Sequence, residues 1–238
     1  MQETIKYIKQ AFELKSQQCY KQAIEMLYKA LELENDNLEI LFQLGELYYL
    51  LKNFPRAAGY LEKVTAKNSE HIESLNILKQ IHIFQNEYKE AYQISERVFN
   101  IQKTSKNLSE LIKIAAKTGS IDKIKEFEKS DIADGNVVYC CAKAYYDNSK
   151  LDDAKRALNN ALELEPDNED ALVLLGKIYF DESEFDKSKE IFNRFSKTSE
   201  NPEILNYLGL FALEDMKFID AVKYFSKASA LDLSLIHI

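Results

Sequence analysis

The sequence predicts an all-α fold assembled from repeated helical hairpins, and three observations carry that reading. Only 6 Gly and 3 Pro occur in 238 residues, too few for the many tight turns of an all-β fold. Leu, Ala, Glu, Lys and Ile dominate, and all but Ile rank high as helix formers. A short phrase with a small residue at its fourth position returns about every 34 residues, the period expected of a repeated supersecondary unit.

The phrase is YKQAIEMLYKALELENDN at 20–37, FPRAAGYLEKVTAKNSEH at 54–71 and YKEAYQISERVFNIQKTS at 88–105. It recurs as LDDAKRALNNALELEPDN at 151–168, FDKSKEIFNRFSKTSE at 185–200 and FIDAVKYFSKASALDLS at 218–234. The small residues are Ala23, Ala57, Ala91, Ala154, Ser188 and Ala221. A second pattern precedes the phrase: LEILFQLGELYYLL at 38–51, IESLNILKQIHIF at 72–84, NVVYCCAKAYYD at 136–147, EDALVLLGKIYF at 169–180 and PEILNYLGLFALE at 202–214. Its apolar residues recur at three and four positions (Leu41, Leu44 and Tyr48, for example), which is helical spacing. Gly45, Gly176 and Gly209 share one phase, so half of all the glycines occupy a single repeat position.

These residues resemble the tetratricopeptide repeat, a helix–turn–helix unit of about 34 residues. Leu44, Gly45 and Tyr48, and Leu175, Gly176 and Tyr179, match the motif of its first helix. Ala154, Leu158, Ala161 and Pro166, and Ala221, Phe225 and Ala228, match its second. About seven units begin near Thr4, Leu38, Ile72, Ser105, Gly135, Glu169 and Pro202. The resemblance implies a right-handed α-solenoid over 4–232. In it Gly or Ala lets the helices of a hairpin approach closely, and large residues from the next repeat (Tyr48, Leu61, Tyr179, Phe192) fill the remaining space. No hairpin buries its apolar face alone, so stability spreads along the stack.

Two places depart from the pattern. In the fourth unit, about 105–134, Ile124 stands where Ala is expected and Ala115 where Tyr is expected. Its second helix is short, and Ile124 precedes Ala154 by 30 residues. Either the irregularity is simply tolerated, or it makes a hinge or kink between repeats 1–3 and 5–7. At the end of the chain, LSLIHI (233–238) reads as the translation of CTG-TCT-CTT-ATA-CAC-ATC, which resembles a transposase adapter from sequencing libraries. The expectation is a non-native tail and a native chain continuing past Asp232. The other reading is a hydrophobic tail that packs as a partial cap.

Charge and chemistry narrow the function. A net charge of −8 argues against a generic nucleic-acid binder. Lys103 to Lys129 holds seven Lys against four acids, which reads as a solvated face. There is no basic start with an apolar run, as in a signal peptide, and no window near the roughly 20 apolar residues of a membrane span. Three cysteines make no disulfide framework, so the expected location is the cytoplasm. No catalytic constellation, phosphate loop or metal-ligand spacing is present, and no enzyme activity, cofactor or metal is expected. His82 reads as a packed core residue, Cys141 as a buried small residue and Cys140 as the more accessible of the pair. The acidic turns 34–37 and 165–170 read as helix caps.

The resemblance also implies a binding surface. In such arrays the first helix of each hairpin lines a concave groove that takes a peptide. Helical spacing places Phe42, Glu46 and Tyr49 there in repeat 2, and Tyr139, Lys143 and Tyr146 in repeat 5. Repeat 6 gives Val173, Lys177 and Phe180, and repeat 7 gives Asn206, Leu210 and Leu213 with Tyr207 adjacent. The doublets 48–49, 145–146 and 179–180 each place one ring in the core and one toward the groove, and rings held on a rigid scaffold are good anchors. Lys143 and Lys177 are placed to meet an acidic group. The lysine and asparagine clamp that some relatives use for chaperone tails is absent, because those positions read Ile8, Phe12, Gln43, Glu73 and Ile77.

The function expected is therefore a non-catalytic scaffold or adaptor binding a peptide or partner protein. The alternative is the N-terminal recruitment part of a larger enzyme or regulator. Self-association through an uncapped last hairpin, with Phe225 and Leu231 exposed, is a third expectation.

Overall fold

A computed structural model describes residues 2–195 and 199–236, with 232–236 described in backbone only. Within them lie fourteen α-helices, which follow one another in chain order as the first (A) and second (B) helices of seven repeats. The chain divides into two compact units, Met1–Lys123 and Ile124–Ile238. The 233–238 tail lies outside the residues whose side chains are described.

The first unit holds α1 (Gln2–Ser16), α2 (Tyr20–Leu33), α3 (Leu38–Leu50), α4 (Phe54–Lys67), α5 (Ile72–Phe84), α6 (Tyr88–Ile101) and α7 (Ser105–Thr118). The boundary falls inside α8 (Ile121–Glu128), a helix of only 8 residues. The second unit continues with α9 (Gly135–Asp147), α10 (Leu151–Leu164), α11 (Glu169–Asp181), α12 (Phe185–Asn193), α13 (Pro202–Glu214) and α14 (Phe218–Ile236). In each unit A and B helices pack within a hairpin and B helices pack on the next A helix, the short α8 apart. Each unit is thus a solenoid stack of helix–turn–helix units.

The turns inside the hairpins share one construction. Gln18, Lys52, Asn86, Gly119, Ser149, Ser183 and Met216 all have φ between 56° and 71°. At each, the residue after the left-handed one donates its N–H back to the carbonyl five residues earlier: Asn53 to Tyr48 at 2.9 Å, Lys150 to Tyr145 at 2.9 Å, Lys217 to Ala212 at 2.7 Å. This satisfies carbonyls that the end of a helix leaves orphaned. The turns between hairpins use side chains instead. Asn37, His71, Thr104, Asp134, Asn168 and Asn201 each accept an N–H from the first turn of the following A helix. Within the acidic turns the cap itself is an asparagine. Glu34 and Glu165 hold it by accepting from the amide nitrogens of Asn37 and Asn168, at 2.8 and 3.1 Å.

The small residues mark close helix contacts. Ala23, Ala57, Ala91, Ala154 and Ser188 are fully buried, and Ala221 nearly so. A Cβ added to Gly45 would lie 2.6 Å from Leu61 Cγ, and one added to Gly176 would lie 2.8 Å from the Phe192 ring. Leu61 and Phe192 belong to the B helix of the same hairpin, not to the next repeat as expected, because a B helix crosses its own A helix at the glycine. Tyr48 is in the core, but Tyr179 is only half-buried, its ring under Lys187 at 5.1 Å. The third hairpin inverts the arrangement: Lys79 stands 34 residues after Gly45, and the buried Ser95 stands 34 after Leu61.

Three further expectations are corrected. His82 is half-buried at the surface, its Nδ1 2.7 Å from Glu87 Oε2, because its polar ring finds a carboxylate beyond the helix end. Cys140 is buried along with Cys141 because α9 is enclosed on most of its circumference. Burial first, then Glu128, holds the Cys141 thiol well above its ordinary pKa. On the last hairpin Phe225 is half-buried because its ring fills the space over Gly209, and Leu231 is half-buried too. Among the described residues, the exposed large apolar side chains of that hairpin are Leu210, Leu213, Met216, Phe218, Ile219 and Val222.

Candidate functional site

The A helices carry the candidate surface, and each unit has its own portion. In the first unit Phe42 and Tyr49, on α3, are both half-buried. Phe42 leans on the His71 ring at a centroid distance of 4.9 Å. Tyr49 stands 6.0 Å from Phe54, and Phe54 stands 4.7 Å from Phe84. Tyr49, Phe54 and Phe84 border an open, largely apolar cleft of about 310 Å³, completed by Leu50, Lys52, Gln80 and Ile83. Phe84 is 66% exposed, which is costly for a ring that could have been turned inward. Glu46, also on this stripe, is held by Lys15 at 2.5 Å.

Phe84 was missed by sequence reasoning. It follows Ile83 at the last turn of α5, one position off the stripe extrapolated from Phe42, Glu46 and Tyr49. The signal available was the apolar run Ile81 to Phe84, broken only by His82, which is longer than one buried face of a helix needs.

In the second unit Tyr139, Lys143 and Tyr146 lie on α9, Lys177 and Phe180 on α11, and Tyr207 on α13. The structure brings most of them together. Lys177 Nζ sits 5.9 Å from the centroid of the Tyr146 ring and 3.4 Å from Glu203 Oε1. Phe180 meets Tyr207 edge-on at 5.1 Å and Phe211 at 5.8 Å, and Tyr207 stacks on the buried Phe192 at 4.5 Å. Phe180 and Tyr207 are therefore locked rings with one open side. Val173, expected on the stripe, is buried in the core. Lys143 is exposed and has no ion pair among the described residues.

The titration of this face is governed by burial first and by neighbouring charges second. Burial first, and then Asp170, Cys140, Asp147 and Glu203, push the Tyr139 hydroxyl up to about 12. Burial raises the Tyr207 hydroxyl, Lys177 opposes that, and Asp181 and Glu203 add to it. Burial works against the Lys177 ammonium, but Glu203 and the Tyr146 ring outweigh it, so its pKa is raised. Lys177, expected to await an acidic ligand, is already paired inside the molecule.

Elsewhere in this unit Glu128 takes a two-pronged contact from Arg156, at 2.6 and 3.1 Å, and a 2.9 Å hydrogen bond from the buried Tyr145 hydroxyl. Among the described residues no three His, Cys, Asp or Glu gather as metal ligands. No described helix is long and apolar enough to cross a membrane.

The tetratricopeptide repeat family matches residues 14–81 and 145–207, more than half of the chain. No curated protein matches the sequence. Among solved structures, a tetratricopeptide repeat-containing protein from Cytophaga hutchinsonii superposes with a TM-score of 0.63 at 16% identity, over 94% of this chain and 95% of that one. A tetratricopeptide repeat protein from Parabacteroides merdae gives 0.60 at 16% identity, over 97% and 94%. YrrB, described as a tetratricopeptide repeat protein with an unusual peptide-binding site, gives 0.54 at 20% identity, over 70% and 88%. Identities this low speak for the shared fold alone.

Proposed function

The chain belongs to the tetratricopeptide repeat family, and on that premise we propose that it is a non-catalytic interaction module whose A-helix faces hold a peptide segment of a partner protein. The observation that carries the reading is the cleft beside Tyr49, where Phe84 is left two-thirds exposed next to Phe54. Rings fixed by their neighbours lose little side-chain entropy on binding, and they offer large contact areas to an apolar anchor. Phe42 and Tyr49 would serve the first unit. Tyr139, Lys143, Tyr146, Lys177, Phe180 and Tyr207 would serve the second. YrrB, a tetratricopeptide repeat protein described with an unusual peptide-binding site, is consistent with such a use of the fold.

The test is selection of a phage-displayed random peptide library on the immobilised protein, with binders re-measured on variants. Peptides that lose binding to Phe84→Ala or Tyr146→Ala, with circular dichroism unchanged, support the reading. Selected peptides that bind both variants as tightly as the parent protein overturn it.

A further inference from the structure

Resting on that reading, we infer that the A-helix face of the second unit takes a basic peptide segment, one that places an arginine or lysine side chain against Tyr146 and Glu203 on a face with surplus carboxylates. The geometry already contains a copy of the contact. Lys177 holds its ammonium 5.9 Å over the Tyr146 ring while Glu203 approaches it at 3.4 Å, a cation held between an aromatic face and a carboxylate. A cation over a ring face is attracted by the ring quadrupole, and arginine suits such sites better than lysine because it is planar and weakly hydrated. An incoming guanidinium would take the ring and the Glu203 carboxylate, and Lys177, which is partly exposed, would swing into water.

The charge of the face agrees. Asp147, Asp170 and Asp181 are exposed and join no ion pair among the described residues. Asp147 and Asp170 act on Tyr139, and Asp181 acts on Tyr207. Against these three and Glu203 stand only Lys143 and Lys177. An acidic segment would meet a surplus of carboxylates, and a basic one would find them as partners. The whole chain, at −8, would steer a cationic partner inward in the same sense. Phe180 and Tyr207, packed edge-on at 5.1 Å, give apolar residues beside the basic one a firm wall.

Fluorescence anisotropy with three labelled synthetic peptides tests this: leucine alternating with arginine, with glutamine and with glutamate. The arginine peptide should bind most tightly, and Tyr146→Ala should weaken it about tenfold while Tyr146→Phe retains it. Asp170→Asn with Glu203→Gln should weaken it further. Lys177→Met removes the internal competitor and should tighten it roughly threefold.

Several results would overturn the inference. Preference for the glutamate peptide would do so, as would weaker arginine-peptide binding by Lys177→Met. Arginine-peptide binding indifferent to Tyr146→Ala would mean attraction to net charge alone. If the glutamine peptide binds as well as the arginine peptide and both are lost with Tyr146→Ala, the basic preference falls while the peptide-binding reading stands. If no peptide responds to any A-helix substitution in either unit, both fall.

Discussion

The ammonium of Lys79, with a side chain only 3% exposed, lies 2.6 Å from the carboxylate of Glu110 and 3.0 Å from the Asn76 side-chain oxygen. Lys79 holds the repeat position that glycine occupies in three other hairpins, and the buried Ser95 holds the position of Leu61. A buried ammonium is tolerated only while it is paired, so the two partners should not respond alike to mutation. Glu110→Gln leaves the charge stranded and should cost roughly 2–4 kcal/mol. Lys79→Met keeps the stem and removes the charge, and should stay within about 1 kcal/mol of the parent. Urea unfolding of both variants checks this; equal losses would show that the pair itself, not the stranded charge, sets the stability.

Two glycines make a matched comparison. Gly176→Ala puts a methyl 2.8 Å from the Phe192 ring. That ring is fully buried and stacked on Tyr207 at 4.5 Å, so it has nowhere to go. A loss of about 1–3 kcal/mol is expected, and more for Gly176→Leu. Gly59 has nothing within 4 Å of an added Cβ and faces solvent in the middle of α4. Gly59→Ala should therefore stabilise by about 0.5–1 kcal/mol through helix propensity. Thermal melts of opposite sign are the expected result.

The hairpin turns make a third comparison. Gly119 at φ 71° ends α7, while Lys52 at φ 56° and Met216 at φ 58° hold the same left-handed conformation with a side chain. Gly119→Ala should lose about 1 kcal/mol. Lys52→Gly should be neutral to slightly stabilising, because relief of the strained φ offsets the extra freedom given to the unfolded chain. A large loss at Lys52→Gly, seen by chemical denaturation, would mean that its side chain rather than its backbone matters.

How much of this was legible in the sequence depends on whether a feature repeats as a residue type or only as a geometry. Ala154, Ala161 and Gly176 announced close helix contacts because sterics there admit few alternatives, and the period followed from them. The left-handed turn recurs just as regularly, but its occupants are Gln18, Lys52, Asn86, Gly119, Ser149, Ser183 and Met216, since the hydrogen bonds of the helix end enforce the conformation whatever the side chain. Lys79 carries no local signal of burial, because its partner Glu110 is 31 residues away. The candidate face was legible as a stripe of rings. Its charge was not, because two lysines on one stripe drew attention while Asp147, Asp170, Asp181 and Glu203 sit at the ends of three separate helices and reach Tyr139 and Tyr207 only after folding.

Buried tyrosines, with carboxylates beside them, give the protein an alkaline weakness. Tyr139 ordinarily ionises near 10.0 and is pushed up to about 12 in the folded protein, first by burial and then by Asp170. Between those values the unfolded chain has released the proton and the folded chain still holds it. Stability therefore falls as pH rises through this window, while below 10 the contribution is fully present. Tyr145 acts in the same sense, because burial and its hydrogen bond to Glu128 raise it further. Tyr139→Phe has no proton to lose, so denaturation curves taken from pH 9 to 12 should decline less steeply than those of the parent. Asp170→Asn should lower the tyrosine midpoint seen by ultraviolet difference absorbance without removing it. Parallel curves for parent and Tyr139→Phe would mean that other groups govern the alkaline limb.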